Sequence, residues 1–268
     1  MSLRLSLPLV LGLAVATTAA RADDGMWTFD NFPSALVRER YGVEIDDEWL
    51  DRVRLATVRL SGCTGSFVSA SGLILTNHHC VASCLAQNST RESSLLETGF
   101  MARGQDDELD CPVQIADVLT TLENVTARVQ DATRGLDERA ANERRRQTLT
   151  ELERTCEDTS RQSGNSLKCE AVTLYGGGQF WLYQYRRYDD VRLAFAPESA
   201  IAAFGGDPDN FQFPRWCLDF SLLRAYENGR PAATPQHLTI DFDGPDAREP
   251  AFVSGHPRSY RPQLTAGG

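Results

Sequence analysis

Two short apolar segments joined by a glycine-containing turn constrain this chain more than any other feature. Residues 65–69 and 73–77 alternate apolar side chains with serine, threonine and glycine at a period close to two, as β-strands do. The sequence Ser-Ala-Ser-Gly at 69–72 supplies the turn between them. The pattern predicts a β-hairpin whose second strand ends at the polar sequence Asn-His-His-Cys, residues 77–80.

The end of this hairpin carries a candidate catalytic base. His79 directly precedes Cys80, and Cys63 stands 17 residues before that cysteine. In trypsin-like barrels the catalytic histidine follows a strand and precedes a cysteine that is bridged to a neighbouring strand. Such a bridge keeps the imidazole within hydrogen-bond reach of a serine hydroxyl. The pattern favours His79 as the general base and Cys63–Cys80 as the disulfide.

A zinc site is the alternative interpretation of the same residues. His78 and His79 lie near Cys63, Cys80 and Cys84, and histidine with cysteine is a common zinc ligand set. Adjacent residues on an extended chain, however, point to opposite sides and rarely bind the same ion. We therefore expect a peptidase site with neither metal nor cofactor.

An imidazole base needs a buried carboxylate to fix its tautomer and stabilise the imidazolium. Asp219 is the candidate because it directly precedes the apolar segment that begins at Phe220, and trypsin-like enzymes place their aspartate just before such a strand. Four other acids are interpreted as solvated loop residues: Asp189, Asp190, Asp207 and Asp209.

No nucleophile can be assigned. The sequence G-x-S-x-G does not occur, and the nearest match, Gly164-Asn165-Ser166, lacks the following glycine. Ser166 also precedes Asp219, whereas the trypsin-like order is His, Asp, Ser. We interpret Ser166 as a loop residue and expect the serine beyond Gly268, so that the chain alone does not hydrolyse peptide bonds.

The N-terminus predicts export. Residues 1–22 combine Arg4, an apolar stretch at 5–16 and the sequence Ala-Arg-Ala before Asp23, which is typical of a signal peptide cleaved after Ala22. No later segment approaches the roughly 20 apolar residues of a membrane span. We expect a periplasmic or secreted protein that leaves the membrane after cleavage.

The net charge limits the possible binding partners, and the cysteine content indicates that disulfides can form. The formal net charge of −10 makes nucleic acid an unsuitable partner. All seven cysteines follow residue 22, where an exported protein can form disulfides. The sequence leaves open how five of them pair: Cys84, Cys111, Cys156, Cys169 and Cys217.

The remaining pattern predicts a mainly β fold interrupted by one helical insertion. Helices or helix-flanked loops are expected at 27–43 and 46–58, and a charged helical excursion is expected from about 117 to 164. Further strands are expected at 56–60, 171–175, 180–185, 191–194, 220–226, 237–240 and 251–253. Together with the hairpin, this order favours a trypsin-like N-terminal β-barrel, half of a double-barrel peptidase.

Several segments in combination resemble the N-terminal third of the bacterial dipeptidyl peptidases of the S46 serine-peptidase family. The resemblance runs from about residue 24 to about 264 and is highly specific. The matching segments are Asp-Gly-Met-Trp at 24–27, Cys-Thr-Gly-Ser at 63–66, Gly-Leu-Ile-Leu-Thr-Asn-His-His-Cys at 72–80, Tyr-Gly-Gly at 175–177, Tyr-Asp-Asp-Val-Arg-Leu at 188–193, Phe-Gly-Gly-Asp-Pro-Asp-Asn-Phe at 204–211 and Asp-Phe-Ser at 219–221.

The resemblance implies a serine-type aminopeptidase that releases dipeptides from peptides with a free N-terminus. It implies that His79 and Asp219 are triad members and that Asn210 and Phe211 hold the substrate's ammonium group, to which an amide oxygen and an aromatic face are suited. Members of the family are longer, with a second barrel and a large helical domain, so residues 23–268 are expected to form the N-terminal part. A homodimer is implied for the full-length enzyme, and the preference for acidic or hydrophobic P1 residues cannot be deduced.

Two other functions remain open at this point. A periplasmic trypsin-like endopeptidase also carries a Gly-Leu-Ile-Leu-Thr-Asn segment before its histidine, although the segment 204–211 argues against it. The chain could instead be an inactive or truncated barrel that serves as a binding module, with an apolar face exposed.

Overall fold

The computed structural model describes residues 26–164, 166–203, 217–247 and 249–256. Within these ranges the chain forms eleven strands and seven α-helices. The strands are β1 (Thr57–Arg59), β2 (Thr64–Phe67), β3 (Leu73–Thr76), β4 (Phe100–Met101), β5 (Leu109–Asp110), β6 (Ala116–Asn124), β7 (Leu167–Leu174), β8 (Gln179–Tyr188), β9 (Asp190–Ala196), β10 (Ser221–Glu227) and β11 (Arg230–Pro231). The helices are α1 (Ser34–Tyr41), α2 (Asp47–Ala56), α3 (Ala82–Asn88), α4 (Leu95–Thr98), α5 (Thr126–Thr133), α6 (Glu138–Gln162) and α7 (Ser199–Ala203).

All eleven described strands belong to one antiparallel sheet. Its order is β4-β9-β10-β3-β2-β1-β6-β8-β7, with β5 added beside β9 and β11 beside β10. Strands β8 and β9 lie near opposite ends of this order, yet only Asp189 separates them in the chain. The architecture is therefore mixed α/β, dominated by one sheet whose two ends are joined by a nearly continuous stretch of strand.

The predicted hairpin is confirmed as β2 and β3. Ser66 pairs with Leu75 and Phe67 with Ile74, and the last two side chains are almost completely buried because alternate residues of each strand face the core. The Ser69 hydroxyl accepts a hydrogen bond from the amide of Leu73 at 3.2 Å, which tightens the connecting turn. This hairpin lies in the interior of the strand order, where pairing on both sides holds it in place.

The helical insertion begins later than the sequence pattern predicted. Residues 116–124 form strand β6, and the helices α5 and α6 follow it. The first four residues of β6 are all buried, and the strand pairs with β1 and β8. Because both faces of the strand contribute to the core, its apolar spacing imitated a helical period. The start of the excursion at about 117 was therefore wrong, whereas helices between 126 and 162 are present.

Other boundaries also differ from the sequence-based expectation. Residues 237–240 and 251–253 are not strands, although the Leu238 amide donates a 2.8 Å hydrogen bond to the Phe67 carbonyl. The expected loop at 187–190 is instead the junction of β8 and β9. The two N-terminal helices are present, and Asp46 caps α2 by accepting from the Trp49 amide at 2.8 Å. Within the described ranges, no helix combines the length and the apolar character required to span a membrane.

Three apolar clusters lie within the described residues, and the two larger ones pack the sheet and the helical insertion. The main core lies around β1–β3, β9 and β10 and contains fully buried side chains such as Leu193 and Leu223. A smaller core, built around Val129 and Leu152, lies between the helices α5 and α6 and the strands β7 and β8. The Cys156–Cys169 disulfide joins α6 to β7 beside this smaller core. The charged helical insertion is thus anchored on the sheet.

A cluster of charged side chains lies across β1, β6, β7 and β8. The Arg59 guanidinium bonds both carboxylate oxygens of Glu170 at 2.7 and 2.8 Å and one oxygen of Asp117 at 3.0 Å. It also lies 4.0 Å from the ring centre of Tyr185. His256 contacts the same tyrosine, with a ring separation of 6.3 Å, and its Nδ1 atom is buried without a hydrogen-bond partner. The segment around residue 256 is therefore held against the cluster by a neutral imidazole.

We expect His256 to make folding acid-sensitive. Burial, and then the positive charge of Arg59, lower its pKa from the ordinary value of 6.5 to about 4. Between these values the unfolded chain binds the proton and the folded chain does not, so this contribution is complete above pH 6.5 and is lost as pH falls towards 4. The loss is about 3 kcal/mol of unfolding free energy.

Urea denaturation of the wild type and of His256→Asn between pH 7.5 and 4 measures this effect. The pH dependence of the variant's unfolding free energy is subtracted from that of the wild type. This removes the contribution of the Asp and Glu residues that both proteins share. The wild type should lose stability more steeply on acidification than the variant. Equal slopes in the two proteins would show that His256 titrates normally.

Candidate active site

The candidate site forms where β3 ends and β10 begins. These strands are antiparallel neighbours in which Thr76 pairs with Ser221. The residues that follow β3 therefore lie beside those that precede β10. A 3-10 turn at His78–Cys80 follows β3, and Asp219 comes two residues before β10. The register of one strand pair thus brings together two side chains that are 140 positions apart in the sequence.

His79 and Asp219 form a direct imidazole–carboxylate pair. His79 Nδ1 lies 3.0 Å from Asp219 Oδ2, and the His79 amide donates to Oδ1 of the same carboxylate at 3.2 Å. Because an ionised carboxylate can only accept, we assign the proton of the neutral imidazole to Nδ1, which leaves Nε2 as an acceptor. The His79 side chain is 65% exposed, so a substrate or a nucleophile can approach it.

Asp219 is held in its ionised form by its neighbours. Its partial burial favours the neutral acid, but the hydrogen bonds from the His79 side chain and from the backbone amides of His79 and His78 outweigh this effect and lower its pKa. The Asn77 side-chain amide also donates to Asp219, at 3.1 Å to the backbone carbonyl and 3.3 Å to Oδ2. An ionised, multiply bonded carboxylate orients the imidazole and can stabilise its protonated form.

His78 has a different environment from its neighbour. Its side chain is 5% exposed, and its Nε2 atom is buried without a hydrogen-bond partner. Desolvation lowers the pKa of His78, against the attraction of Asp219 and a hydrogen bond with the Pro197 backbone. His78 is therefore a neutral packing residue that connects the 3-10 turn to the segment before α7, while His79 faces outward.

The turn that carries His79 is fastened from two sides. A disulfide joins Cys80 to Cys63, which lies in the connection between β1 and β2. The Gln114 side-chain amide donates to the Cys80 carbonyl at 2.7 Å. These ties limit the movement of the backbone that carries the candidate base. The proposed zinc set of the sequence analysis is not formed in this state, because Cys84 is joined to Cys111 and Cys63 to Cys80.

The other predicted residues are placed as follows. Asn210 and Phe211 lie outside the described residues, so their expected contact with a substrate stays a prediction. Ser166 directly precedes β7, at an edge of the sheet, whereas His79 follows β3 in its interior. Sequence reasoning did not identify the role of Asn77. Its position between the strand and the candidate base was the available signal, but nothing in the sequence shows where its amide points.

Comparisons of this chain with family models and with known proteins agree on one family. The family model described as Peptidase S46 matches residues 22–266. Dipeptidyl-peptidase 7 of Phocaeicola vulgatus is 30% identical over 276 residues, which cover 94% of this chain and 38% of the relative. The Asp/Glu-specific dipeptidyl-peptidase of Shewanella putrefaciens is 32% identical over 266 residues, which cover 93% of this chain and 36% of the relative.

The fold agrees with a solved structure. The crystal structure of Porphyromonas endodontalis DPP11 in complex with the dipeptide Arg-Glu matches with a TM-score of 0.71 and 24% identity. The match covers 84% of this chain and 36% of that one. The chain thus spans well under half the length of the proteins that it matches. Since the family model covers nearly all of its residues, the chain belongs to the peptidase S46 family.

Proposed function

We propose that this chain provides the histidine and the aspartate of a serine-type dipeptidyl aminopeptidase. The observation that carries the proposal is the 3.0 Å pairing of His79 Nδ1 with Asp219 Oδ2 in a chain of the S46 family. Nε2 of His79 takes the proton of a serine hydroxyl as general base and returns it to the leaving amine as general acid. The serine is supplied from outside residues 1–268, so the 268-residue chain alone is expected to be inactive.

We further propose that the sheet closes into a trypsin-like barrel. The strand order runs from β9 through β10, β3, β2, β1 and β6 to β8, and the chain passes from β8 directly to β9 across Asp189. A sheet in which two strands near opposite ends of the order are one stretch of chain supports closure into a barrel. In this arrangement the turn with His79 lies at one end of the barrel, where a second domain can contribute the serine.

Selectivity for dipeptides is proposed to depend on Asn210 and Phe211. A side-chain amide oxygen can accept from the substrate's terminal ammonium, and an aromatic face can attract the same charge. An anchor two residues from the scissile bond would restrict cleavage to the second peptide bond of peptides with a free N-terminus. The relatives named dipeptidyl-peptidase support this specificity.

The proposed location is the periplasm or the extracellular space. Three disulfides, joining Cys63 to Cys80, Cys84 to Cys111 and Cys156 to Cys169, suit an oxidising compartment. The pattern of residues 1–22, which resembles a signal peptide, supports export to such a compartment.

Paired substrates test the proposed specificity on the full-length protein. A fluorogenic dipeptide with a free amino group should be cleaved. Its N-acetylated counterpart should lose at least about 100-fold in kcat/KM, since the acceptor for the ammonium is left without its partner. An internally quenched peptide with a blocked N-terminus serves as the control for endopeptidase activity. Comparable cleavage of free and blocked substrates would favour the endopeptidase alternative and reject the dipeptidase.

A further inference from the structure

The disulfide beside His79 forms part of a compact group of soft ligands. The Sγ atoms of Cys63 and Cys80 and a ring nitrogen of His79 all lie within 4.8 Å of one another. In the oxidised chain the two sulfur atoms are bonded to each other and are not available to a metal. Reduction would place two thiols next to an exposed imidazole without requiring the backbone to rearrange.

The local backbone removes the objection that the sequence raised against a metal site. The objection was that adjacent residues on an extended chain point to opposite sides and rarely bind the same ion. His79 and Cys80 lie instead in the 3-10 turn His78–Cys80, where successive side chains are about 120° apart. Cys63 approaches the same point from the connection between β1 and β2. The three ligand atoms therefore converge.

The chemistry of this group suits zinc. Two thiolates and one imidazole form a three-ligand set that binds Zn²⁺ tetrahedrally and leaves a fourth position for water. Asp219 contacts Nδ1 of His79, so when zinc binds through Nε2 this carboxylate would orient the imidazole as an outer-shell partner. Cys63 is half-buried and His79 is exposed, so the ion can reach the group from solvent.

We propose that reduction of the Cys63–Cys80 disulfide creates a binding site for one Zn²⁺ made of both thiolates and His79. A dithiol reductant transfers two electrons and two protons to the disulfide and becomes a disulfide itself. Zn²⁺ then displaces the two thiol protons. Bound zinc occupies a ring nitrogen of His79, which stops proton transfer by that residue; only this consequence rests on the proposed function. A disulfide oxidant reverses the process: it takes two electrons from the two thiolates, takes up two protons to become a dithiol, and leaves the Cys63–Cys80 bond re-formed, the ion released and the imidazole free.

Site-resolved alkylation tests the proposal on the whole 268-residue chain. The chain is reduced with a phosphine, incubated with and without Zn²⁺ alone, and treated with iodoacetamide. The rate of modification of each cysteine is then read by peptide mass spectrometry. Zinc should slow the modification of Cys63 and Cys80 relative to Cys156 and Cys169, with one zinc bound at the protected pair.

Two histidine variants make the test specific. His79→Ala should weaken zinc binding at the pair at least about tenfold, since losing a direct ligand costs no less than losing an outer-shell partner. His237→Ala, which removes a histidine outside the group, should behave as the wild type. Equal protection in His79→Ala, protection at other cysteines instead, or no protection would overturn the proposal.

Circular dichroism of the same samples shows whether reduction unfolds the chain. The site is formed by the fold, so zinc that binds only after the β-sheet signal is lost would also overturn the proposal. Peptide hydrolysis is not a readout in this experiment. A negative result therefore leaves the proposed catalytic role of His79 intact, and failure of that role would not alter the zinc measurement.

Discussion

Replacing His79 by alanine in the full-length S46 protein is expected to lower kcat for dipeptide release by about 10⁴-fold or more. The variant removes the imidazole that, among the residues the structure describes, is paired with Asp219 at 3.0 Å and can accept a proton. KM should change little because the imidazole acts on the reacting atoms and does not hold the rest of the substrate. Steady-state kinetics on a fluorogenic dipeptide measure both constants.

Asp219→Asn is expected to have an effect of similar size, about 10⁴-fold in kcat, because an amide stabilises the wrong tautomer of His79. The double variant should be no worse than His79→Ala, since residues that act as one unit are not additive. His237→Ala is the matched control for the loss of a histidine. An Asp219→Asn variant within tenfold of the wild type would remove Asp219 from the triad.

The hairpin and its histidine could be predicted because their signals are local. The period-two pattern, the turn at 69–72 and the sequence Asn-His-His-Cys all lie within a short stretch of chain. Spacing also indicated Cys63 and Cys80, which the structure joins. Asp219 was chosen from its position before an apolar strand, and the strand register places it beside His79.

The features that escaped prediction depend on contacts between distant parts of the chain. Strand β6 looked helical because its apolar residues contribute to both faces of the sheet, a property set by β1 and β8. The pairing of Cys84 with Cys111 and of Cys156 with Cys169 cannot be deduced from cysteine spacing alone. The donation from Asn77 to Asp219 likewise depends on side-chain direction. Local pattern identifies the candidate base, and tertiary pairing completes its surroundings.

Gly72, in the turn between β2 and β3, should be the backbone position near the site that is most sensitive to substitution. Gly72 adopts φ +73°, and a Cβ atom there would lie 2.6 Å from the Ala225 carbonyl oxygen and 3.2 Å from the Ala232 amide nitrogen. Ala225 belongs to strand β10, and the Ala232 amide donates a 2.9 Å hydrogen bond to the Ala225 carbonyl, so neither atom can yield cheaply. Gly72→Ala is therefore expected to cost about 3 kcal/mol or more of unfolding free energy, from left-handed strain and the clash together.

Gly135 provides the matched control because it has nearly the same conformation without the crowding. Its φ is +75°, and nothing lies within 4 Å of an added Cβ, so Gly135→Ala should cost only about 1 kcal/mol of strain. Urea denaturation of both variants separates the two causes. Because β3 leads directly from Gly72 to His79, a Gly72→Ala chain that still folds should also show a changed His79 environment by NMR. Equal losses in the two variants would mean that the close approach to Ala225 contributes nothing beyond backbone conformation.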